Sequence, residues 1–283
     1  MPQPVFTAFL LTLFAGLSTG IGSAIAFFAK RTNTLFLSLS LGFSAGMMIY
    51  VSFMEFLFSS VQTLVGVHGK TDGALYATLS FFGGIALILL IDKFIPPYKN
   101  PHEMHWVEEM NQEDKPHPKV KPKLLRVGLV TALVLAVHNL PEGMATFLAA
   151  MKDANIAIPI TIAIALHNIP EGISVSVPVY YATGSRKKAF WLSFLSGLAE
   201  PVGAIIGYLV LSPFLDDNVF GIIFGMIAGI MVFISFDELL PAAEEYGKHH
   251  HAIYGLVAGM AVMALVLLMP GLAKRNGIKT RNN

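Results

Sequence analysis

The 283-residue chain contains no cysteine. This absence excludes a disulfide framework, a thiolate zinc site and catalysis by a cysteine nucleophile. A transition metal would therefore have to be bound by imidazole, amide and carboxylate groups, which suit borderline divalent ions. The chemistry of this protein rests on its histidine, asparagine, aspartate and glutamate side chains.

Charged residues are also scarce. They make up 13% of the chain, about half of the ~25% that is usual in soluble domains. Hydrophobic residues make up 54%, and the formal net charge is only +1. This composition predicts a protein of the lipid bilayer, and the near-zero net charge excludes nucleic acid as a partner.

Eight apolar segments have the ~20 residues that a helix needs to cross a bilayer. Helices are expected, because a helix satisfies its backbone hydrogen bonds within its own segment. The first segment has no Lys or Arg before it, so we expect a retained helix and not a cleaved signal peptide. The predicted fold is thus an all-α membrane protein with eight transmembrane helices. The spans are 5–28, 35–60, 74–96, 124–150, 156–182, 188–212, 219–244 and 252–272.

The distribution of Lys and Arg predicts the orientation of the chain, because these residues concentrate in cytoplasmic loops. With the N-terminus outside the cytoplasm, thirteen of the nineteen lie in cytoplasmic loops, and only Lys70 and Lys152 lie in outside loops. The four in the C-terminal tail would also lie outside, but a tail is a weaker signal than a short loop. We therefore predict an N-out/C-out topology.

The longest polar connection is 97–123, between the third and fourth predicted spans. It contains scattered charges together with His102, His105 and His117. A segment of this composition is typical of a flexible cytoplasmic loop and not of a second domain. The histidines could be solvated or could capture metal. Residues 1–283 are accordingly predicted to form a single transmembrane domain.

A six-residue string occurs twice within apolar runs. Residues 138–143 read His-Asn-Leu-Pro-Glu-Gly, and residues 167–172 read His-Asn-Ile-Pro-Glu-Gly. In each copy the His and Glu are four positions apart and the Asn and Glu three apart, so the three side chains share one helix face. Proline removes a backbone hydrogen bond, and glycine lets a neighbouring helix approach. Ionisable groups at this depth indicate a functional site.

The two copies are predicted to face each other across an antiparallel helix pair. Glu142 and His167 are equidistant from a turn at 152–155, so they should lie at the same level near mid-membrane. Glu171 and Glu200 are equidistant from a turn at 184–187, which brings a third helix to that level. The side chains expected to bind divalent metal there are His138, Asn139, Glu142, His167, Asn168, Glu171 and Glu200.

The three glutamates of this layer could balance most of the charge of two divalent ions. A single ion would leave net negative charge in a medium of low dielectric constant, which is unfavourable. We therefore expect either a two-metal cluster with bridging glutamates or one metal with shared, protonated carboxylates. Two imidazoles beside carboxylates favour zinc and also accommodate iron, manganese or cadmium.

With these features the chain resembles the ZIP family of divalent metal transporters, and within it the bacterial ZupT-type branch. The resemblance covers essentially the whole chain: eight helices, a histidine-bearing loop after the third, and the duplicated motif on the fourth and fifth. It implies a 3+2+3 helix bundle whose first and last three helices are related by inverted pseudo-symmetry. It also implies transport of divalent metal into the cytoplasm, across the bacterial inner or plasma membrane, without enzymatic activity. The metal is then a substrate and not a prosthetic group, the bilayer is the other partner, and a homodimer could form.

The resemblance further implies a binuclear site on the fourth, fifth and sixth helices, with Glu142 and Glu171 shared. The residues that match the first metal site are His138, Glu142, His167 and Glu171. The residues that match the second are Asn139, Glu142, Asn168, Glu171 and Glu200. Asn168 stands where some relatives have Asp, so the second site carries less negative charge here.

Two other functions fit a buried metal site less well. An intramembrane metalloenzyme would keep an open coordination position and a general base, often within His-Glu-x-x-His on one helix, and the chain has no such string. A metal-sensing receptor would need a sizeable output domain, for which the loop 97–123 is too short. Broken helices that meet near mid-membrane are typical of secondary transporters.

Other polar residues in or beside apolar runs have two interpretations each. Glu55 could line a metal pathway or pair with a polar neighbour. Asp237 and Glu238 could form an exit path or a hydrogen-bonded turn around Pro241, and we favour the exit path. The run 249–251, three histidines, could receive released metal or form a solvated turn.

Overall fold

The computed structural model describes residues 3–28, 34–94, 139–151, 154–183, 185–211, 214, 216–247 and 249–275. All regular structure in these residues is helical, and no strand occurs among them, so the predicted all-α class is confirmed. The helices are α1 (Gln3–Phe28), α2 (Thr34–Val51), α3 (Phe58–His68), α4 (Lys70–Phe94), α5 (139–151), α6 (Ala154–Thr183), α7 (Arg186–Gly197), α8 (Ala199–Ile206), α9 (Asp217–Ile234), α10 (Leu240–Tyr246) and α11 (His249–Arg275).

Six stretches of helix in the described residues are long and apolar enough to cross a bilayer. They are Pro4–Ala24, Ser38–His68, Lys70–Ile91, Arg186–Val210, Asp217–Glu244 and His250–Leu268. Each corresponds to a predicted span. Large apolar side chains such as Phe14, Phe82 and Leu265 are exposed on these helices, as expected for residues that face lipid.

The two remaining predicted spans carry the duplicated motif. Of the span 124–150, only 139–150 lies within the described residues, where it belongs to α5. The span 156–182 forms α6, which has 30 residues and an apolar stretch at Ile158–Ile173. The predicted loop 97–123 and its histidines lie outside the described residues.

The connection between the second and third spans differs from the prediction. The second predicted span ends at residue 60 and the third begins at 74, but α3 continues to His68 and α4 starts at Lys70. Gly69 alone reverses the chain, with φ of 83°, a conformation that glycine adopts without steric cost. Residues 61–68 contain four aliphatic side chains and belong to the apolar stretch that continues to His68, so the predicted span stopped short of the end of this stretch.

Within the described residues, three π-helical turns interrupt the long helices. Ser52–Leu57 joins α2 to α3, Gly207–Leu211 follows α8, and Ser235–Leu239 joins α9 to α10. The first contains Glu55, and the third contains Asp237 and Glu238. Such turns are frequent at functional sites, so these acidic residues lie where the helical backbone is locally widened.

The helices pack as two groups. In the first, which we name the site-bearing group, α1 packs along α6, α7 and α8, α6 packs on α7, and α5 contacts α8. In the second, which we name the companion group, α2 packs along α10 and α11, and α9 packs on α3 and α4. The two groups meet where α6 contacts α2 and α11.

Reciprocal glycines hold α2 against α11. A β-carbon added at Gly42 or Gly46 would collide with the backbone of α11, and one added at Gly255 or Gly259 would collide with the backbone of α2. Small residues at this spacing let two helix backbones approach closely in a membrane. The tight packing that the glycine spacing predicts is therefore present.

Candidate metal centre

Three of the predicted ligands meet between α5 and α6. One ligand atom from each of Glu142, His167 and Glu171 lies within 4.8 Å of the other two. Nε2 of His167 lies 2.7 Å from Oε1 of Glu142. All three side chains are buried, with 1%, 1% and 4% of their surface exposed. The two motif copies thus face each other, as their equal distance from the intervening turn predicts.

Glycines allow other helices to approach this cluster. A β-carbon at Gly143, directly after Glu142, would collide with the backbone of Glu200 in α8. One at Gly172, directly after Glu171, would collide with the carbonyl of Thr19 in α1. Each motif glycine therefore lets a neighbouring helix pack against the position next to a predicted ligand.

The two asparagines are anchored by their amide nitrogens. Nδ2 of Asn139 donates to the carbonyl of Ser196 at 3.2 Å, and Nδ2 of Asn168 donates to the carbonyl of Ala15 at 3.0 Å. Both side chains are fully buried. Neither Oδ1 has a hydrogen-bond partner among the described residues. Each amide oxygen is thus left available as a ligand for a cation.

Glu200 joins the cluster from α8. Its side chain is fully buried, and its Oε1 accepts a hydrogen bond from Nδ2 of Asn168. Its Oε2 has no hydrogen-bond partner in the described part of the chain. Glu200 is also close enough to Glu142 and Glu171 for their negative charges to repel. Three buried carboxylates at such short range require compensating positive charge or protons.

The remaining predicted site residues are distributed as follows. His138 lies outside the described residues. Glu238, in the π-turn before α10, is close enough to Glu171 for their charges to interact, and its role in a metal pathway stays a prediction. Asp237 is exposed, and Glu55 is half-buried and accepts a hydrogen bond from Ser59 at 3.4 Å, which agrees with pairing to a polar neighbour.

Two side chains of the run 249–251 are described, His250 and His251, and both lie outside the cluster of Glu142, His167 and Glu171. His250 is exposed and stacks on Tyr254, and His251 is half-buried. Among the residues that the structure describes, one group of three or more His, Asp or Glu side chains has metal-binding spacing, and it consists of Glu142, His167 and Glu171.

The role of α1 at this centre was missed by the sequence analysis. The carbonyl of Ala15 anchors Asn168, and a β-carbon at Gly16 would collide with the carbonyl of Gly197 at the start of the turn that leads to Glu200. The spacing of Gly16 and Gly20 indicated close helix packing, but it did not identify the helix that packs there.

The chain is similar to known zinc transporters. The family model described as "ZIP Zinc transporter" matches residues 99–267, which is more than half of the chain. The zinc transporter ZupT of Streptococcus mutans serotype c is 61% identical over 270 residues, covering 95% of this chain and 99% of the relative. The zinc transporter ZupT of Clostridium perfringens is 60% identical over 275 residues, covering 94% and 96%. That of Oceanobacillus iheyensis is 59% identical over 263 residues, covering 93% and 97%.

Similarity at this level extends over nearly the whole chain, and the family model spans both motif copies. The resemblance that the motifs carry is therefore confirmed. The chain belongs to the ZIP family, and it is a multi-pass membrane transporter of metal ions and not an enzyme.

Proposed function

We propose that this protein transports zinc across the membrane through the buried cluster of Glu142, His167 and Glu171. The observation that carries this proposal is the convergence of two carboxylates and an imidazole from two helices, with ligand atoms within 4.8 Å, in an apolar core. Burial of such groups is unfavourable unless a cation compensates them. The printed names of relatives at 59–61% identity support zinc as the substrate.

The ligand chemistry also defines which other metals could pass. Imidazole and carboxylate ligands without thiolates suit zinc, and they also bind iron, manganese and cadmium in the divalent state. We propose zinc as the principal substrate and these three ions as further ones. All are cargo, bound during passage and then released.

We further propose that the site is binuclear, with Glu142 and Glu171 bridging the two ions. The first ion would be bound by His138, Glu142, His167 and Glu171. The second would be bound by Asn139, Glu142, Asn168, Glu171 and Glu200. Support for the second ion comes from the oxygen atoms without hydrogen-bond partners in the described residues, which are Oδ1 of both asparagines and Oε2 of Glu200. Three ionised carboxylates around a single divalent ion would also leave the site with a net negative charge.

For the topology, we propose eight transmembrane helices in a 3+2+3 arrangement, N-out and C-out, in the bacterial inner or plasma membrane. Support comes from the six membrane-length helices, the 30-residue α6 and the bacterial origin of the relatives. The concentration of Lys and Arg in cytoplasmic loops favours this orientation. The formation of a homodimer and the flexibility of the loop 97–123 stay predictions.

Transport would then proceed from the outside to the cytoplasm. The ion exchanges its hydration water for imidazole, amide and carboxylate ligands near mid-membrane. The site-bearing group rocks against the companion group, which opens the cluster toward the cytoplasm. Glu238, within electrostatic range of Glu171, would be the next acidic group on the exit path.

Zinc uptake into proteoliposomes loaded with a zinc-sensitive dye tests the proposal. The parent should fill the liposomes, and Glu142→Ala and His167→Ala should each reduce the rate at least about tenfold, since each removes a direct ligand. The matched control is His250→Ala, which removes an exposed imidazole outside the cluster and should leave uptake unchanged.

All variants must insert and elute like the parent before their rates are compared. The proposal is wrong if the parent binds zinc without moving it across the membrane. It is also wrong if His167→Ala transports zinc as fast as His250→Ala.

A further inference from the structure

A buried hydroxyl of α2 contacts the backbone of the helix that carries the metal cluster. Ser44 is fully buried, and its Oγ donates a hydrogen bond to the carbonyl of His167 at 3.3 Å. Many buried hydroxyls in this protein bond instead to a carbonyl of their own helix, as Thr12 in α1 does with Ala8 at 3.0 Å. The hydroxyl of Ser44 reaches a different helix, at the residue whose imidazole lies in the cluster.

This hydrogen bond joins the two helix groups, whereas comparable bonds lie within one group. Ser38, also in α2, donates to the carbonyl of Ala243 in α10 at 2.6 Å, and both helices belong to the companion group. Ser193 in α7 donates to the carbonyl of Gly172 in α6 at 2.9 Å, and both belong to the site-bearing group. Ser44 therefore has a partner that would move relative to it if the groups rock.

The position of Ser44 on α2 explains its direction. Gly42 and Gly46 face the backbone of α11. Ser44 lies midway between them, about 200° around the helix from Gly42, and therefore on the side away from α11, where α2 contacts α6. One face of α2 holds it in the companion group, and the opposite face carries the hydroxyl that reaches His167.

The other buried side chains next to Ser44 cannot fix the position of α6 against α2 in the same way. Leu41, Ala45 and Met48 are buried and apolar. Apolar contacts are not directional, so apolar surfaces can shift against each other and remain buried. A hydrogen bond depends strongly on distance and angle. The Ser44 hydroxyl thus specifies where the His167 backbone lies against α2.

We propose that Ser44 is a positioning residue for transport, because its hydroxyl holds the His167 carbonyl and so docks the site-bearing group in this conformation. The inference rests on the proposed function, in which the two groups move relative to each other. At 3.3 Å the bond is longer than the usual ~2.7–2.8 Å between oxygen atoms, so it is weak enough to break in each cycle. The carbonyl of His167 lies within the continuous α6, whose own ladder offers a donor when Ser44 leaves.

Distance measurement between spin labels tests this inference directly. The chain has no cysteine, so Leu35→Cys in α2 and Lys187→Cys in α7 would provide the only labelled sites, and both positions are exposed. The docked and the displaced positions of the site-bearing group should give two distances between the labels. In zinc-free liposomes, Ser44→Ala should lower the ratio of docked to displaced protein about two- to tenfold, the effect expected from one hydrogen bond. Ser38→Ala is the matched control, because its bond lies within the companion group, and it should leave the ratio unchanged.

A second pair of variants separates the hydroxyl from packing. Ser44→Thr keeps the hydroxyl donor and should retain the distance distribution of the parent. Ser44→Val has the shape of threonine without the donor and should behave like Ser44→Ala. An unchanged ratio in both Ser44→Ala and Ser44→Val, or an equal change in Ser38→Ala, overturns the inference. Because these measurements contain no zinc, they are independent of the uptake assay, in which Glu142→Ala and His167→Ala test the proposed function.

Discussion

The side-chain amide of Asn168 in α6 donates hydrogen bonds to the carbonyl of Ala15 in α1 and to Oε1 of Glu200 in α8. One buried side chain thus connects three helices beside the cluster of Glu142, His167 and Glu171. The hydrogen bond from Asn168 holds the carboxylate of Glu200 beside the other two glutamates. Because asparagine is neutral, position 168 adds no further negative charge. A neutral donor at this position therefore limits like-charge repulsion when no metal is bound.

Asn168→Asp should reverse this balance. The substitution removes the donor to Ala15 and Glu200 and adds a fourth carboxylate, so the metal-free protein should be destabilised by about 1–3 kcal/mol. Zinc should raise the midpoint of thermal unfolding more in this variant than in the parent, because a bound cation offsets the added charge. Thermal unfolding in detergent, with and without zinc, measures both effects. Gln62→Glu, which replaces an exposed amide of α3 by a carboxylate, is the control, and an equal response of the two variants would contradict the expectation.

The motif glycines should not tolerate a methyl group. A β-carbon at Gly143 or Gly172 would collide with backbone atoms of a neighbouring helix, and overpacking of this kind costs about 1–3 kcal/mol or more. We expect Gly143→Ala and Gly172→Ala to lower the unfolding midpoint and the yield of monodisperse protein.

Gly83→Ala provides the matched control for these glycines. No atom lies within 4 Å of a β-carbon at Gly83 in α4, so alanine there should stabilise the helix by about 0.5–1 kcal/mol. Size-exclusion chromatography and thermal unfolding distinguish the outcomes. Motif variants as stable as Gly83→Ala would mean that the helices can separate at little cost.

Zinc uptake should decrease as the outside pH falls from about 7 to about 5.5 at fixed free zinc. Zinc binds neutral imidazole and ionised carboxylate, so protons compete with it for His167, Glu142 and Glu171. Acid thus decreases the fraction of sites that can bind zinc, and the uptake rate falls with it. Initial rates in proteoliposomes with buffered free zinc measure the effect, and a rate that stays constant over this range would argue against these ligands.

The number of bound ions should depend on Glu200. If the site is binuclear, the parent should bind about two zinc ions per chain, and Glu200→Gln should bind about one, since the amide keeps an acceptor for Asn168 but loses the charge. Glu142→Gln should weaken both ions, because Glu142 is expected to bridge them. Isothermal titration gives the stoichiometry, and equal stoichiometries in the parent and Glu200→Gln would leave a single-ion site.

The residue spacing alone predicted several contacts of the centre correctly. Glu142 and His167 lie in different helices, yet their 2.7 Å contact follows from equal distances to the intervening turn, because helices rise by a constant amount per residue. The same argument predicted that Glu200 belongs to this layer, and it does. Periodicity of this kind requires no knowledge of how the helices are rotated or which others pack around them.

Contacts that depend on helix rotation and crossing were not predictable in this way. The anchoring of Asn168 by Ala15, the bond from Ser44 to His167 and the proximity of Glu238 to Glu171 involve helices that are distant in sequence. Spacing along one helix carries no information about such partners.

The sequence by itself determined that this protein is helical, lies in a membrane and carries a duplicated motif of His, Asn and Glu, because hydrophobic length and side-chain spacing act within single segments. Only the tertiary structure decided which helices form the site-bearing group, which backbone carbonyls orient the asparagines and which hydroxyl reaches across to the other group. These features arise from the close approach of helix backbones at glycines such as Gly143 and Gly172. That approach is set by the packing of the whole bundle, since each helix can satisfy its own backbone hydrogen bonds at many rotations and crossing angles.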